Sequence, residues 1–429
     1  MSELRPLIII DESKCNGCVA CSRACPTSAM RVRNHVVRVN RDLCIDCGAC
    51  IGACKRDALR PRTSSSADLE RFKLRVAIPS LVLYGQFGDG TKPGQILHSF
   101  RSLGFDCACD ISWVCEMVAA AIDSYLTDCG GPWPKISMTC PAVVRLIQLK
   151  YPDLLAHLIP IDTPRELAAK LQRRRLAAEH GLHPSEIGLF YISPCTALVD
   201  AIESPLGRQS SHLDGAFSIA EVYGSLLRSI KADPRADSDE AVSIRGLRWV
   251  MASGEIPGMR NANSISVKGL DDVLYVLDRI ESGTFSDADF INPYICSDGC
   301  FSGHLTVAGR YTAQRYLHQV VRQLGDPPPV KEEKIRALLQ ARFFDLDAAI
   351  QPRTSPPTQD LRQAVAEQQQ RKELGARLPG KNCGACGAPD CDALAADVVR
   401  GEAELGHCPF IRIEQLEQER KTSDQKVSS

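Results

Sequence analysis

The chain has 429 residues, 44% of them hydrophobic and 24% charged, and a formal net charge of −1. This is long enough for roughly two to four domains, and the near-neutral balance gives no reason to expect nucleic acid or an anionic membrane surface as a partner. No apolar run reaches the roughly 18 residues of a membrane helix, and residues 1–11 lack a basic start, an apolar core and a twin arginine, so a cytoplasmic location is expected.

Twenty cysteines in so long a chain argue for metal ligation in a reducing compartment, because their spacings are those of metal ligands. Within residues 1–61, Cys15-x2-Cys18-x2-Cys21-x3-Cys25-Pro26 recurs as Cys44-x2-Cys47-x2-Cys50-x3-Cys54, a repeat offset by 29 residues. This is the spacing of bacterial two-cluster ferredoxins, where three thiolates of each run bind one cube and the fourth crosses to the other. Cys15, Cys18, Cys21 and Cys54 are therefore assigned to one [4Fe–4S] cluster, and Cys44, Cys47, Cys50 and Cys25 to the second. Zinc ribbons would leave the third cysteine of each run without a purpose. Lys55 stands where the first run has Pro26, at a position that binds no metal. Apolar runs at 7–10 and 36–39 predict the short strands of an α+β ferredoxin domain.

Residues 61–67 are Ser-rich and read as a connection. A central domain is expected over 70–350. A strand at 74–78 leads to Pro79-Ser80, and a helix at 96–103 closes on Gly104. A second helix covers 114–126, and 130–134 breaks the pattern. Cys140-Pro141 opens a helix at 142–150. An amphipathic helix spans 165–180, with Arg173, Arg174 and Arg175 on a solvated face. A buried strand at 187–192 runs into Pro194-Cys195, and another is expected at 247–251, ending in Ala252-Ser-Gly254. Strands alternating with helices define an α/β domain. Next comes Cys296-x3-Cys300, with Gly303 behind it, a pair able to hold two corners of a cube or two zinc valences. Together with Cys140 and Cys195, each on a Pro-flanked turn, it gives four thiolates from three segments. Cys107, Cys109, Cys115 and Cys129 match no cluster spacing and read as buried, inert thiols. His304 reads as a structural histidine, with a proton relay as the other reading.

The order Pro79-Ser80, Thr139-Cys140-Pro141, Ser193-Pro194-Cys195-Thr196 and Cys296-x3-Cys300-x2-Gly303 resembles the catalytic domain of [FeFe]-hydrogenases over residues 74–325. The resemblance implies that Cys140, Cys195, Cys296 and Cys300 hold a [4Fe–4S] cube. It also implies that Cys300 bridges to an organometallic two-iron subsite, the two together forming an H-cluster. Pro79, Ser80, Ser193, Tyr294 and Gly303 then lie around the cofactor. Departures are as informative. Where family members carry a proton-donating cysteine, this chain has Thr139, and where a lysine holds a cyanide ligand it has Leu198. Ala201 replaces a glutamate of the proton path, and Ser193 and Tyr294 replace methionines. A hydroxyl is a far weaker acid than a thiol. The resemblance therefore implies an atypical, sensory lineage with slow or sensory dihydrogen chemistry, and the alternative is an electron carrier or redox sensor with a plain cube.

The C-terminal part opens with two polar helices, expected at 331–350 and 359–374 around a Pro-rich joint. Linker and helix occupy 351–376. A cluster domain follows at 377–412, where Cys383-x2-Cys386-x4-Cys391-x16-Cys408 brackets a helix expected at 392–400. This pattern resembles the small [4Fe–4S] domain of redox-pump ferredoxins and corrinoid methyl-transfer proteins, and zinc is the other occupant four cysteines allow. A polar tail, 413–429, carries the heptad-like run 411–420, too short to establish a coiled coil. About four clusters are expected, exchanging electrons with a redox protein such as a ferredoxin, a flavoprotein or a reductase subunit. A signalling partner on the tail is the further expectation.

Overall fold

The structure is a computed structural model and describes residues 7–88, 90–238, 240–251, 263–285, 288–324, 330–353 and 361–427. It forms two compact units. Met1–Cys44, Ala49–Pro61 and Thr354–Ser429 make one, and Ile45–Gly48 with Arg62–Arg353 make the other.

The first unit is built on two antiparallel strand pairs. Ile8–Ile10 pairs with Leu59–Pro61, so the two ends of the ferredoxin-like segment close on each other. Met30–Arg33 pairs with Val36–Val39 through Asn34 and His35. Both turn residues have positive φ, 50° and 64°, as a two-residue hairpin requires. Ile8, Met30, Val32, Val37 and Leu59 form the core, joined by Cys21 and Cys50. The C-terminal cysteine segment packs on the hairpin. Arg31 grips Asp397 with two bonds of 2.6 and 2.9 Å, and Arg33 reaches the same carboxylate at 2.9 Å. Val32 donates to the Gly387 carbonyl at 2.7 Å. Gly387 has φ +80°, and a Cβ there would stand 1.8 Å from the Val32 carbonyl, so only glycine fits. The helices Leu361–Arg377, Cys391–Val399 and Pro409–Val427 complete this unit.

The second unit carries two parallel sheets. One has the order Cys107–Ala108, Leu74–Pro79, Ile187–Ser193, Gly215–Ser218. Its inner strand Ile187–Ser193 is buried along all seven residues, as a parallel strand covered on both faces must be. Phe72, Phe105 and Phe217 pack around Phe190 of this strand, edge to face except for the tilted Phe190–Phe217 pair. The other sheet has the order Ser264–Lys268, Phe290–Tyr294, Lys135–Ile136. Helices Ser112–Asp128, Pro141–Lys150 and Pro164–His180 lie among the sheets' connections. Among the described residues, no helix is long and apolar enough to cross a membrane.

Two expectations are corrected. Residues 247–251 are not a strand, because Ile244–Leu247 is a helical turn followed by the 3-10 turn Arg248–Val250. Ser243 caps that turn by accepting from Gly246, and Gly246 lies so close to the Ser112 backbone that a Cβ would stand 1.6 Å from its carbonyl. The cap and this close approach override the apolar, β-prone sequence. The helix expected at 331–350 runs only over Glu332–Gln340. Beyond it Arg342 takes φ 53°, Phe344 is fully buried, and residues 344–346 bond to 160–162. The expected features at 252–254 and 354–358 lie outside the described residues.

Candidate iron–sulfur site

Parallel strands deliver their following loops to one edge, and the central site sits there. Lys135–Ile136 leads into Thr139-Cys140, Ile187–Ser193 into Pro194-Cys195, and Phe290–Tyr294 into Cys296. Cys140 caps the helix Pro141–Lys150 and Cys195 the helix Thr196–Glu203. Backbone N–H groups at these helix starts, from Leu198 and Ala197 on Cys195 and from Val143 and Ala142 on Cys140, favour the thiolates.

Cys296 lies within electrostatic reach of Cys140, Cys195 and Cys300, and Cys195 within reach of Cys140. Burial drives the Cys296 thiol far above its ordinary pKa, and Cys195, Cys140, Cys300 and Cys47 push it further. Burial also pushes Cys195 up to about 12, opposed by the Leu198 N–H and reinforced by Cys140. Gathered thiols that resist ionisation in isolation fit a polynuclear metal core, whose positive charge reverses that balance. Cys47 belongs to the loop Ile45–Gly48, which packs with this unit, and it lies within electrostatic reach of Cys296.

The loops are fixed by close backbone approach. A Cβ on Gly303 would stand 2.3 Å from the Pro194 carbonyl, which also accepts from Leu305 N at 2.9 Å. Ser193 is fully buried and its hydroxyl donates to the Cys195 carbonyl at 2.8 Å. Pro79 ends its strand, and Ser80 N donates to Ile192 O at 3.1 Å. Beside Cys300 lies a cavity of about 60 Å³. Ser80, Thr139, Leu198, Tyr294 and Cys300 line it, whereas Pro79, Ser193 and Gly303 are not among its lining residues. The Thr139 hydroxyl accepts from Ser137 Oγ at 3.0 Å. Asn292 donates to the Tyr294 hydroxyl at 3.2 Å. Ala201 is buried in its helix, and His304 is exposed, near the loop at Gly48.

In the first unit, Cys15, Cys18, Cys21 and Cys54 line one small cavity, so the fourth thiol around it is Cys54 rather than Cys25. Burial raises the Cys21 thiol to about 11, and Cys18 and Cys15 add to the rise. Gly17, with φ +68°, brings the loop onto His35, where a Cβ would meet Cα at 2.8 Å. Cys25 Sγ accepts from Ala29 N at 3.2 Å, and Cys44 and Cys50 are buried. At the C-terminus, Cys386, Cys391 and Cys408 share one apolar cluster, and Cys383 is exposed. Asn382 Oδ1 accepts from Cys391 N at 2.9 Å, and Arg33 holds the Cys386 carbonyl at 2.9 Å.

The non-cluster thiols are not uniformly core residues. Cys109 and Cys115 are buried, but Cys107 and Cys129 are half-buried, and Cys115 lines the central cavity. Cys107 is lowered by its hydrogen bond with Cys109, although burial opposes this. Sequence reasoning also missed Arg165, Lys268 and Trp249 in the cavity wall. Only Thr163-Pro164, a helix-start signal, pointed towards Arg165.

These features agree with known proteins. Residues 76–225 match the family model described as iron only hydrogenase large subunit, C-terminal domain. Residues 7–55 match a 4Fe-4S dicluster domain, and 378–410 match the model described as "Putative Fe-S cluster". The chain thus joins a dicluster domain, an iron-only-hydrogenase-type domain and a C-terminal cluster domain. Iron hydrogenase 1 of Clostridium pasteurianum is 28% identical over 107 residues, 24% of this chain and 19% of that protein. A component of the Na(+)-translocating ferredoxin:NAD(+) oxidoreductase complex of Acetobacterium woodii is 62% identical over 34 residues, 8% of this chain and 10% of that protein. The corrinoid/iron-sulfur protein large subunit of Moorella thermoacetica is 46% identical over 39 residues, 9% of each chain. The matches therefore span a fifth or less of these relatives' lengths. In fold, the chain is similar to [FeFe]-hydrogenase HydA1 from Chlamydomonas reinhardtii, with a TM-score of 0.53 at 14% identity over 68% of this chain and 98% of that one.

Proposed function

We propose that this protein is an iron–sulfur oxidoreductase that passes electrons through its [4Fe–4S] clusters to and from a central hydrogenase-like cluster. The observation that carries the reading is the convergence of Cys140, Cys195, Cys296 and Cys300, with Cys47 beside Cys296. In this reading Cys44, Cys47, Cys50 and Cys25 hold the cube that exchanges electrons with the central one. Cys15, Cys18, Cys21 and Cys54 hold the other ferredoxin cube, and Cys383, Cys386, Cys391 and Cys408 a fourth. The functional divisions are 1–61, 70–350, 351–376, 377–412 and 413–429, and the partner is a cytoplasmic redox protein.

A two-iron subsite, where bound through Cys300, supplies the making and splitting of dihydrogen. In this reading such a group would lie beside Cys300, where Thr139, Leu198 and Tyr294 line a cavity. Thr139 and Leu198 in its wall favour slow or sensory chemistry of an atypical lineage, because neither delivers a proton near neutral pH. The second reading, an electron carrier or sensor signalling through the tail, rests on the same two residues. Anaerobic protein should contain about sixteen irons and sixteen sulfides per chain. After co-production with maturation enzymes, infrared bands of carbon monoxide and cyanide should appear. Half that iron, with zinc present, would overturn the four-cluster reading, and missing bands would leave the carrier.

A further inference from the structure

Two side chains in the cavity beside Cys300, Thr163 and Arg165, carry buried polar atoms without a hydrogen-bond partner. Thr163 caps the 17-residue helix Pro164–His180, yet its hydroxyl caps no backbone N–H and makes no hydrogen bond. Two residues on, Arg165 is 6% exposed, and neither Nε nor Nη1 has an acceptor. Glu166 Oε1 forms an ion pair with Nε at 3.7 Å, too long to be a hydrogen bond. That carboxylate is committed elsewhere, accepting from Arg208 Nη1, the Ser211 hydroxyl and His212 N. Thr163 and Arg165 both line the cavity.

The cavity's other walls sharpen the charge. Lys268, at the carboxyl end of strand Ser264–Lys268, lines it too, within electrostatic reach of Asp298 and Cys300. Among the described lining residues there is no carboxylate, and Ile111, Leu198, Trp249 and Met251 supply apolar surface. The helix Pro164–His180 adds the positive end of its dipole. A buried guanidinium with two silent donors is costly unless an acceptor enters the space before it. The cavity, about 60 Å³, has space for a small anion.

We propose that this cavity binds a small anion through Arg165 Nε and Nη1 and the Thr163 hydroxyl, with Lys268 as the second charge, beside the sulfur of Cys300. The anion arrives free from solution or as an anionic ligand on a metal group carried by Cys300. Either way the donors are those of Arg165, where Leu198 offers none. The proposal does not depend on a two-iron subsite, and a free anion next to the cube gives that cluster a chemical input besides electrons.

Azide is a small linear anion whose infrared stretch responds to its hydrogen bonds, and it serves as the probe on anaerobically purified full-length protein. Without maturation enzymes, the protein should bind azide saturably. Arg165→Met should weaken binding about tenfold or more, as the loss of a charge-assisted hydrogen bond implies. Lys268→Met, at a partly exposed position, gives a second variant if Arg165→Met fails to fold. Protein co-produced with maturation enzymes separates the sources. Exclusion of azide, with cyanide bands that move in Arg165→Met, assigns the anion to the metal group. Equal azide binding with and without maturation assigns it to solution. If neither carbon monoxide nor cyanide bands form, the two-iron reading falls and the anion site stands or falls on azide alone. Azide binding indifferent to Arg165 and Lys268, or absent, together with no displaced cyanide band, overturns the proposal.

Discussion

Arg145 and Asp46 meet as an ion pair at 3.0 Å, with side chains only 1% and 0% exposed. Arg145 lies on the helix that Cys140 opens, and Asp46 sits one residue before Cys47. The same guanidinium pairs with Asp200, on the helix that Cys195 opens, and donates to the Ser204 carbonyl at 3.1 Å. Thr196, next to Cys195, donates its hydroxyl to the Asp46 carbonyl. One buried cation therefore ties together the segments that carry Cys47, Cys140 and Cys195.

Removing that cation leaves two carboxylates buried without it. Arg145→Met should cost about 3–5 kcal/mol, because an uncompensated buried charge is far worse than a missing pair. Urea unfolding of anaerobic protein measures it. A loss under about 1 kcal/mol would mean that water reaches these carboxylates as it reaches surface pairs.

The contact between the hairpin and the C-terminal cysteine loop rests on a glycine. Gly387→Ala meets both the Val32 carbonyl and a φ of +80°, whereas Gly401→Ala meets only a φ of +73°, with open space around it. The second substitution should cost about 1 kcal/mol and leave iron content unchanged. Gly387→Ala should expose the cysteine loop and lower iron by about four atoms per chain, one cube. Equal iron in both variants would show that the cluster forms without this contact.

The two cases show which information was local. Cysteine spacing made the iron–sulfur domains legible, because a cube demands thiolates at short, fixed intervals. The α/β class was legible from strands such as Ile187–Ser193, whose apolar run states burial on both faces. Arg145 was not legible, since nothing in its helix pattern announces Asp46, 99 residues away in sequence. Residues 247–251 misled because a cap at Ser243 and contact with Ser112 outweighed local propensity. Arg165 and Lys268 stand at a helix start and a strand end that only the tertiary fold brings to one cavity.

His212 gives a pH dependence of known sign. Burial first, and then Arg208 and Lys170, lower its pKa to about 4, while Asp347 opposes this and Arg173 adds to it. In the unfolded chain it titrates near about 6.5. The unfolded state thus binds the extra proton between these values, so stability is retained above about 6.5 and lost as pH falls toward 4. The loss amounts to roughly 3 kcal/mol across that window. His212→Gln should flatten this part of the unfolding profile. An unchanged slope would assign the acid sensitivity to other groups.

Thr139 makes the sharpest functional prediction. Its side chain lines the cavity beside Cys300 and accepts from Ser137, so a substituent there faces the space in which a two-iron group would sit. A threonine hydroxyl holds its proton too tightly to release it near neutral pH, whereas a thiol ionises within reach of it. Thr139→Cys should therefore raise dihydrogen turnover of matured protein by about 10-fold or more, as a positioned acid does. The gain should stay limited, because Ala201, buried in the helix Thr196–Glu203, carries no proton onward. Thr139→Val, which removes the hydroxyl at nearly constant size, should leave the residual rate within about twofold. Infrared spectra of all three proteins must show the same carbon monoxide and cyanide bands for the comparison to concern the acid alone. Identical spectra with no gain from the thiol would mean that proton delivery does not limit turnover, and attention would pass to electron supply through the cube beside Cys47.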